Sequence, residues 1–563
     1  MSRRSRCSTS GSSRAARRRR RSRPSGEPAR TSHVPHGPGP ADGPQGTGRF
    51  SPVNDPRTLP SLLTEVTVGR LAELLDLELR GDPGAVVSSV VLDDRRAVPG
   101  DLFAALPGAR AHGARFAPAA VGRGARAVLT DATGAAELVD AGVPLLVAAN
   151  PRGVLGRLAA LVHDEPATRM TTFGVTGTNG KTTTTFLLER LLGELGRRPG
   201  LVGTVVARYA GRDVPSRLTT PEAPELQGWI AAMAEAGVDA LAMEVSSHAL
   251  ALHRVDGVVY DVVGFTNLSQ DHLDFHGTLE EYFDVKASLF TPGRARRGVV
   301  VVDDDAGRRL AKRSEVPVTT VTTRGTDADW HVADHVAGVG GSRFTLVGPA
   351  GERLDARVTM PGDFNVANAA LAIVMVVASG VSVTDIAGAL ARDGLDATVP
   401  GRMEVLATAP RVVVDFAHNA DALGLALATL RPTTPGRLVV VFGATGERDT
   451  GKRPVMGAVA ARGADIVVVT DDDPHGEDPA PIRAAVLAGA HEAVLARVPD
   501  ARPAILEVAP RAEAVRRAVL EAAPEDTVLV AGRGHETVQD VGGVDIALDD
   551  RVEARAALAA RAD

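Results

Sequence analysis

Residues 174–186, GVTGTNGKTTTTF, lead from an apolar run into Gly177, Gly180, Lys181 and Thr182. A glycine-rich turn that opens a helix binds phosphate, because free backbone N–H groups and the helix dipole face the anion. Lys181 would offset charge on the β- and γ-phosphates, and the Thr182 hydroxyl would reach Mg2+. The spacing is not the regular G-x-x-x-x-G-K-[ST]. Gly174 precedes Gly180 by one residue too many, and Val175 takes the first glycine's place. The competing reading is a glycine-rich turn with a surface lysine. The coincidence of strand, turn, GKT and helix favours a phosphate loop.

Two further segments carry candidate groups. MEVSSH ends a predicted strand in Glu244, and TNLSQDHLDFHG follows the next one with Asn267, Asp271, His272 and Asp274. Ligands of open α/β sheets gather at the carboxyl ends of strands, so these groups would share one rim with the phosphate loop. Glu244 is then either a Mg2+ ligand or an exposed strand-end carboxylate. Lys286, in YFDVKASLF, reads by composition as a plain surface lysine.

Alternating strands and helices must place these groups. MTTFGVTG, DALAMEVSS, DVVGFTNLS and GVVVVDDD are buried-strand candidates within an α/β domain over 166–400 with a largely parallel sheet. In TTTTFLLERLLGEL the spacing turns Phe186, Leu187, Leu191 and Leu195 toward a core. After Pro400 and Gly401, the strands RVVVDFAH, GRLVVVFGAT, ADIVVVTDDD, AILEVAP and DTVLVAGRGHE make a second doubly wound domain over 401–563. Shorter elements, including VVSSVVLDD, GDLFAAL and ARAVLTD, fill 56–165.

The 563 residues suffice for several domains. Residues 1–55 hold twelve Lys+Arg against three Asp+Glu, and the rest of the chain 51 against 66. The tail reads as disordered and basic. With one short basic run and an acidic body, nucleic acid is not an expected partner. No apolar run is long enough to span a bilayer, and no signal-peptide pattern stands out, so no membrane association is expected. Cys7 is the single cysteine, which excludes an intrachain disulfide and fits a reducing cytoplasm.

In chain order, GTNGKTT, MEVSSHALALHRV, FTNLSQDHLDFHG, YFDVKASLF, GDFNVANAALA, GRMEV, DFAHNADAL, GERDTGKRPVMG and AGRGHE resemble the Mur ligases. These are ATP-dependent enzymes that add amino acids to the peptidoglycan precursor, and their GTNGKT loop also lacks the regular spacing. The likeness runs from about residue 60 to 555 and is nearest to the branch that adds a diamino acid to UDP-N-acetylmuramoyl-L-alanyl-D-glutamate. It implies a small N-terminal α/β domain for the uridine nucleotide (56–165), a central P-loop ATP domain (166–400) and a C-terminal Rossmann-like domain for the amino acid (401–563). A cytoplasmic monomer is expected.

The resemblance also assigns residues. Gly177, Thr178, Asn179, Gly180, Lys181, Thr182, Thr183, Asn267, Asn365, Asn368, Arg402 and Asp415 would meet ATP. Thr219, Thr220, Ser246 and Arg254 would meet the UDP-substrate, with Leu252 where relatives often have Gln. Two Mg2+ ions are implied, one near Thr182 and Glu244, the other near Glu244 and His272. Lys181, Glu244, His272 and Lys286 would form the catalytic group. A lysine with pKa about 10.4 would repel Mg2+, whereas a CO2-derived carbamate on Lys286 would be an anionic oxygen ligand. DFAHNADAL departs from the usual HTP form at Asn419 and Ala420.

Arg448, Asp472, Asp473, His475, Gly532 and Glu536 would surround the amino acid. Diaminopimelate enzymes typically show D-N-P-R, where this chain has Asp472, Asp473, Pro474 and His475. An Arg fork pairs with a distal carboxylate through two hydrogen bonds, which His475 cannot reproduce, while Asp473 adds negative charge. This favours L-lysine or L-ornithine, with meso-diaminopimelate as the alternative. A folylpolyglutamate synthase-like ligase and a regulatory P-loop NTPase are the remaining alternatives. The uridine-type first domain and GERDTGKRP argue against the former.

Overall fold

The computed structural model describes residues 60 and 64–562, apart from 215–217, 339, 394 and 496–501. The basic tail 1–55 lies outside the described residues. The described chain forms three α/β domains, each built on its own sheet. In the first, Ser89–Val91, Asp101–Ala104, Ala127–Thr130 and Leu145–Val147 run parallel, and Glu78–Arg80 closes one edge antiparallel. Those four strands are wholly buried, as expected for a parallel sheet covered on both faces. Helix Pro151–Val162 covers one of them. It starts at Asn150, whose side chain accepts from the Gly153 N–H, with proline in the first turn.

The central sheet has eleven strands. The phosphate-loop strand, Thr171–Thr176, lies between Ala240–Glu244 and Val262–Phe265, parallel to both. Glu244 is in register with Val175, and Phe265 with Thr176. That register delivers Glu244 and the TNLSQDH segment to the mouth of the loop. Helices Lys181–Glu194 and Asp363–Ala378 share one apolar layer against the sheet. Asp363–Ala378 is buried nearly all round because it packs between its partner helix and the strands. Phe186, Leu187 and Leu191 are buried as the spacing predicts, and Leu195 packs at the edge of the same layer.

The sheet also continues beyond its parallel part, through Trp330–Gly338, Gly341–Val347 and Arg353–Val358. The sequence reading had no antiparallel extension here. RLDARV alternates exposed and buried residues, the signature of a strand with one wet face, and is too short to stand out among helices. The C-terminal sheet orders Glu404–Thr408, Arg411–Asp415, Thr527–Ala531, Leu438–Phe442, Ile466–Val469 and Ala504–Glu507, all parallel except the first. A hairpin, Val538–Val541 with Val544–Ala547, follows the RGHE segment.

Candidate active site

A cavity of about 280 Å3 opens at the carboxyl end of the central sheet, where the C-terminal domain faces it. Thr178–Thr183, Thr204, Thr219, Glu244, Asn267, Asp271, His272, Asn365, Asn368, Arg402, Asp415 and His418 contribute to its wall. Gly177 and Gly180 have φ of 147° and 90°. A Cβ at Gly177 would lie 1.9 Å from Thr266 Oγ1, and one at Gly180 would lie 2.3 Å from Asn368 Oδ1. The loop therefore needs glycine at both positions. Helix Lys181–Glu194 starts at Gly180 with no side-chain cap, leaving its first N–H groups directed at the cavity.

The loop is held from the side. The Asn267 side chain accepts from the Asn179 N–H at 3.0 Å and donates to the Asn179 carbonyl at 3.1 Å. Thr266 Oγ1 donates to that carbonyl at 2.6 Å. Asn365 and Asn368 are buried and hydrogen-bonded to each other, and Thr184 Oγ1 donates to Asn368 at 3.4 Å. Asn267, Asn365 and Asn368 thus brace the loop.

Glu244 is 1% exposed. Its Oε2 accepts from the hydroxyls of Thr182 and Thr204, both at 3.0 Å, and its Oε1 accepts from the Thr204 N–H at 2.7 Å. It is therefore a positioned, buried carboxylate and not a loose strand end. Thr204 had no motif to mark it. The Thr204 hydroxyl proton goes to Glu244, so Thr204 Oγ1 in turn accepts from the Thr219 hydroxyl at 3.1 Å.

Lys286 is 1% exposed, which corrects its reading as a surface residue. Helix Leu279–Ala287, begun by the Thr278/Glu281 capping box, aims it inward. Its Nζ donates to the Gly177 carbonyl at 2.8 Å and lies 4.3 Å from the centre of the Tyr282 ring. Lys181 Nζ donates to the same carbonyl at 3.0 Å and to Thr178 O at 2.8 Å. Burial, and then the neighbouring Lys181 charge, push the Lys286 amine well below the usual lysine range.

Asp271 and His272 reach the cavity. Asp274 does not: it is exposed on the short helix Leu273–His276, because the turn at His272 (φ 53°) directs it outward. Asp271 Oδ2 lies 3.3 Å from His418 Nε2, across the domain boundary. Burial alone would raise the Asp271 carboxyl, but His418 and His272 outweigh it and hold the group well below the usual range. Burial pushes His272 down to about 3, leaving a neutral ring able to bind a metal. Among the described residues, no three His, Cys, Asp or Glu side chains converge on a metal geometry.

Arg402 enters from the connection between the second and third domains. Its guanidinium lies 4.3 Å over the Phe416 ring, and its Nη2 donates to Thr182 Oγ1 at 3.4 Å. Asp415 Oδ2 accepts from the Met403 N–H at 2.7 Å. Asn419, a departure from HTP, caps helix Ala420–Leu430 and donates to Asn179 Oδ1 at 3.4 Å. The substituted residue thus joins the phosphate loop to the C-terminal domain.

Thr219 lines the cavity, whereas Thr220 is fully buried and donates to the Glu244 backbone carbonyl at 2.8 Å. Ser246 caps helix Ser247–Ala251, and its N–H donates to Thr220 Oγ1 at 3.2 Å. Arg254 donates to Glu222 at 2.9 Å, and Glu222 also pairs with Arg152 of the first domain.

The amino-acid candidates lie apart from that cavity wall, around a buried arginine. Asp473 pairs with fully buried Arg533, and His475 Nδ1 lies 2.8 Å from Asp540 Oδ2. The free negative charge assigned to Asp473 is therefore absent, because its counter-ion is adjacent. Asp472 is buried beside Arg511, and a Cβ on Gly532 would lie 2.7 Å from its Oδ2. Burial, then Asp472, push the Glu536 carboxyl up to about 8. Arg448 is exposed on the GERD loop. Arg533 and His535 stand inside the quoted RGHE motif, yet only contacts mark them out.

A phosphate loop between two parallel strands, a buried carboxylate at its Thr182 and an arginine from a third domain define a three-domain α/β P-loop enzyme. Three family descriptions match in order: "Mur ligase family, catalytic domain" over 86–163, "Mur ligase middle domain" over 175–376, and "Mur ligase, glutamate ligase domain" over 401–534. A UDP-N-acetylmuramyl-tripeptide synthetase of Leifsonia xyli subsp. xyli is 48% identical over 500 residues, covering 87% of this chain and 95% of the relative. A UDP-N-acetylmuramoyl-L-alanyl-D-glutamate--2,6-diaminopimelate ligase of Streptomyces avermitilis is 47% identical over 494 residues, covering 85% and 96%. A solved structure of a ligase with that second name superposes with a TM-score of 0.62 at 30% identity, covering 89% of this chain and 100% of the other. The chain belongs to the Mur ligase family and is an ATP-dependent ligase. No described helix is long and apolar enough to cross a membrane.

Proposed function

We propose that the enzyme joins 2,6-diaminopimelate to the D-glutamate carboxylate of UDP-N-acetylmuramoyl-L-alanyl-D-glutamate, making a peptidoglycan precursor in the cytoplasm. The observation that carries the reading is the 47% identity, over nearly the full length, to a ligase with that name. Five further relatives between 41% and 47% identical carry that name too. The preference for lysine or ornithine rested on His475 in place of the Arg fork and on the negative charge of Asp473, the one argument for repelling a distal carboxylate. Pairing with Arg533 removes that argument. Diaminopimelate is therefore the better reading, with Arg448 for a carboxylate and Glu536 for an ammonium.

A carboxylate is a poor acyl donor because oxide is a poor leaving group. Transfer of the γ-phosphoryl group to the substrate carboxylate gives ADP and an acyl phosphate. The uncharged amine attacks the acyl carbon, a tetrahedral intermediate forms, and phosphate leaves as the amide bond closes. Lys181 and the first N–H groups of its helix offset charge on the phosphoryl oxygens. Asp415, in the cavity wall, suits a ribose hydroxyl. Thr219, Ser246 and Arg254 suit the muramoyl-dipeptide.

The donors fit Mg2+, a hard cation that takes carboxylate, hydroxyl and phosphate oxygens: the Thr182 hydroxyl and Glu244 carboxylate are already 3.0 Å apart. Glu244 with His272 suits a second ion. When bound, these ions supply charge neutralisation and orient the phosphates. Lys286 fits modification as a carbamate. A neutral amine attacks CO2, the N–C bond forms and the nitrogen loses a proton. Burial beside Lys181 favours that neutral amine.

The test supplies ATP, Mg2+, the UDP-muramoyl-dipeptide and one amino acid at a time, following product mass and phosphate. The expected result is a tripeptide product with diaminopimelate and little with lysine or ornithine. Turnover confined to lysine or ornithine would overturn the choice of amino acid. No turnover with any of the three would overturn the function.

A further inference from the structure

The loop over Gly532–Glu536 presses against the hinge at Gly401 with no side chain between them. A Cβ on Gly401 would lie 2.2 Å from both the Gly534 carbonyl carbon and the His535 nitrogen, and one on Gly534 would lie 2.6 Å from the Gly401 oxygen. His535 stands at this contact. Its Nδ1 lies 3.4 Å from Arg402 Nη1. A guanidinium has only donors, so Nδ1 must accept and the ring proton must be on Nε2. The ring also faces the backbone of Thr204.

Nδ1 is therefore spent on Arg402 while Nε2 carries the proton, leaving no lone pair for proton transfer to a substrate. The ring packs 5.5 Å from the Phe416 ring, and Arg551 Nη2 donates to the His535 carbonyl at 3.2 Å. Burial, followed by the Arg402 charge, pushes the imidazole down to about 3, which preserves the acceptor on Nδ1. Beyond His535, Arg402 reaches the Thr182 hydroxyl, and Thr204 holds Glu244 through its N–H and its hydroxyl.

We propose that His535 is a positioning residue: it fixes Arg402 and the Thr204 loop together, and so couples the Glu536 loop to the Thr182–Glu244 group at the phosphate loop. The Glu536 end of this coupling rests on the reading that this loop meets the incoming amino acid. The contacts to Arg402 and Thr204 stand without that reading. His535 touches neither ATP nor substrate in this scheme and acts only through its two neighbours.

The test compares the full-length enzyme with H535L, which removes acceptor and donor, and H535Q, which supplies one of each. Steady-state kcat and KM for ATP and the amino acid are measured with calorimetric ATP affinity and the melting temperature. H535L is expected to lose about tenfold to a hundredfold in kcat, the range for hydrogen bonds to charged groups, with ATP affinity within a few-fold of wild type. H535Q is expected to recover most of the loss. Full kcat in H535L, or equal damage in both variants, would overturn the proposal. Should H535L fail to fold, H535A takes its place: a kcat lost in H535A and largely recovered in H535Q supports the coupling, and an unchanged kcat in H535A or an equal loss in both refutes it. A wild-type enzyme that uses no diamino acid would refute the amino-acid reading instead. The same comparison is then made on phosphate released from ATP with the UDP-muramoyl-dipeptide alone.

Discussion

Gly203→Ala isolates the placement of Glu244. The new Cβ would lie 2.3 Å from Glu244 Oε1, whereas C···O contacts settle at about 3.3–3.6 Å. Gly203 is not among the positive-φ glycines, so alanine adds no backbone strain. The carboxylate is the movable partner and must retreat by roughly 1 Å. That shift stretches the 2.7 Å bond from the Thr204 N–H and the 3.0 Å bond from the Thr182 hydroxyl. A misplacement of about 1 Å costs on the order of a hundredfold in rate, or roughly 2.7 kcal/mol in the barrier. The assay is steady-state ligation across a Mg2+ titration, with thermal unfolding alongside. The expected outcome is a kcat lowered by about that factor, a higher Mg2+ requirement, and a melting temperature within a few degrees of wild type. Wild-type kcat with an unmoved Mg2+ curve would refute the view that Glu244 must hold this position.

Three further outcomes follow from the same contacts. Lys286→Ala should lower ligation by at least about a hundredfold, and a short-chain carboxylate should restore part of it; activity undiminished without the additive would rule out an essential carbamate. Glu536 is an acid raised to about 8 in the fold against about 4.3 unfolded, so between those values the native state holds a proton the unfolded state lacks, and its stability contribution fades as pH rises. Glu536→Gln should therefore gain on wild type in urea unfolding from pH 5 to pH 8, and parallel curves would remove the assignment. Asp550→Asn should destabilise the C-terminal domain by about 3 kcal/mol, because fully buried Arg511 loses its directly paired carboxylate and keeps only Asp472, 4.0 Å away; unchanged unfolding would contradict that.

Much of the site was legible because phosphate binding imposes local demands. The order strand, Gly177, Gly180, Lys181, Thr182, helix reflects a turn that must free its amides, and such a turn occupies a few consecutive residues. Glu244 and His272 were legible for a related reason: strand ends in a parallel sheet share one rim. Thr204 was not legible, since its importance is a pair of bonds to a carboxylate 40 residues away. Lys286 was misread from composition because nothing local distinguishes a buried lysine from an exposed one. Asp473 was misread because its counter-ion is 60 residues downstream.

The sequence by itself determined the α/β class, the phosphate loop and the ordered motifs of a ligase family, because hydrophobic period and glycine placement act over short stretches of chain. Tertiary structure alone decided which charges are free and which are spent. Lys286 proved buried beside Lys181, Asp473 neutralised by Arg533, and His535 Nδ1 set against Arg402. The physical reason is that desolvation and pairing depend on what the fold packs against a side chain, and those partners come from other domains and distant loops.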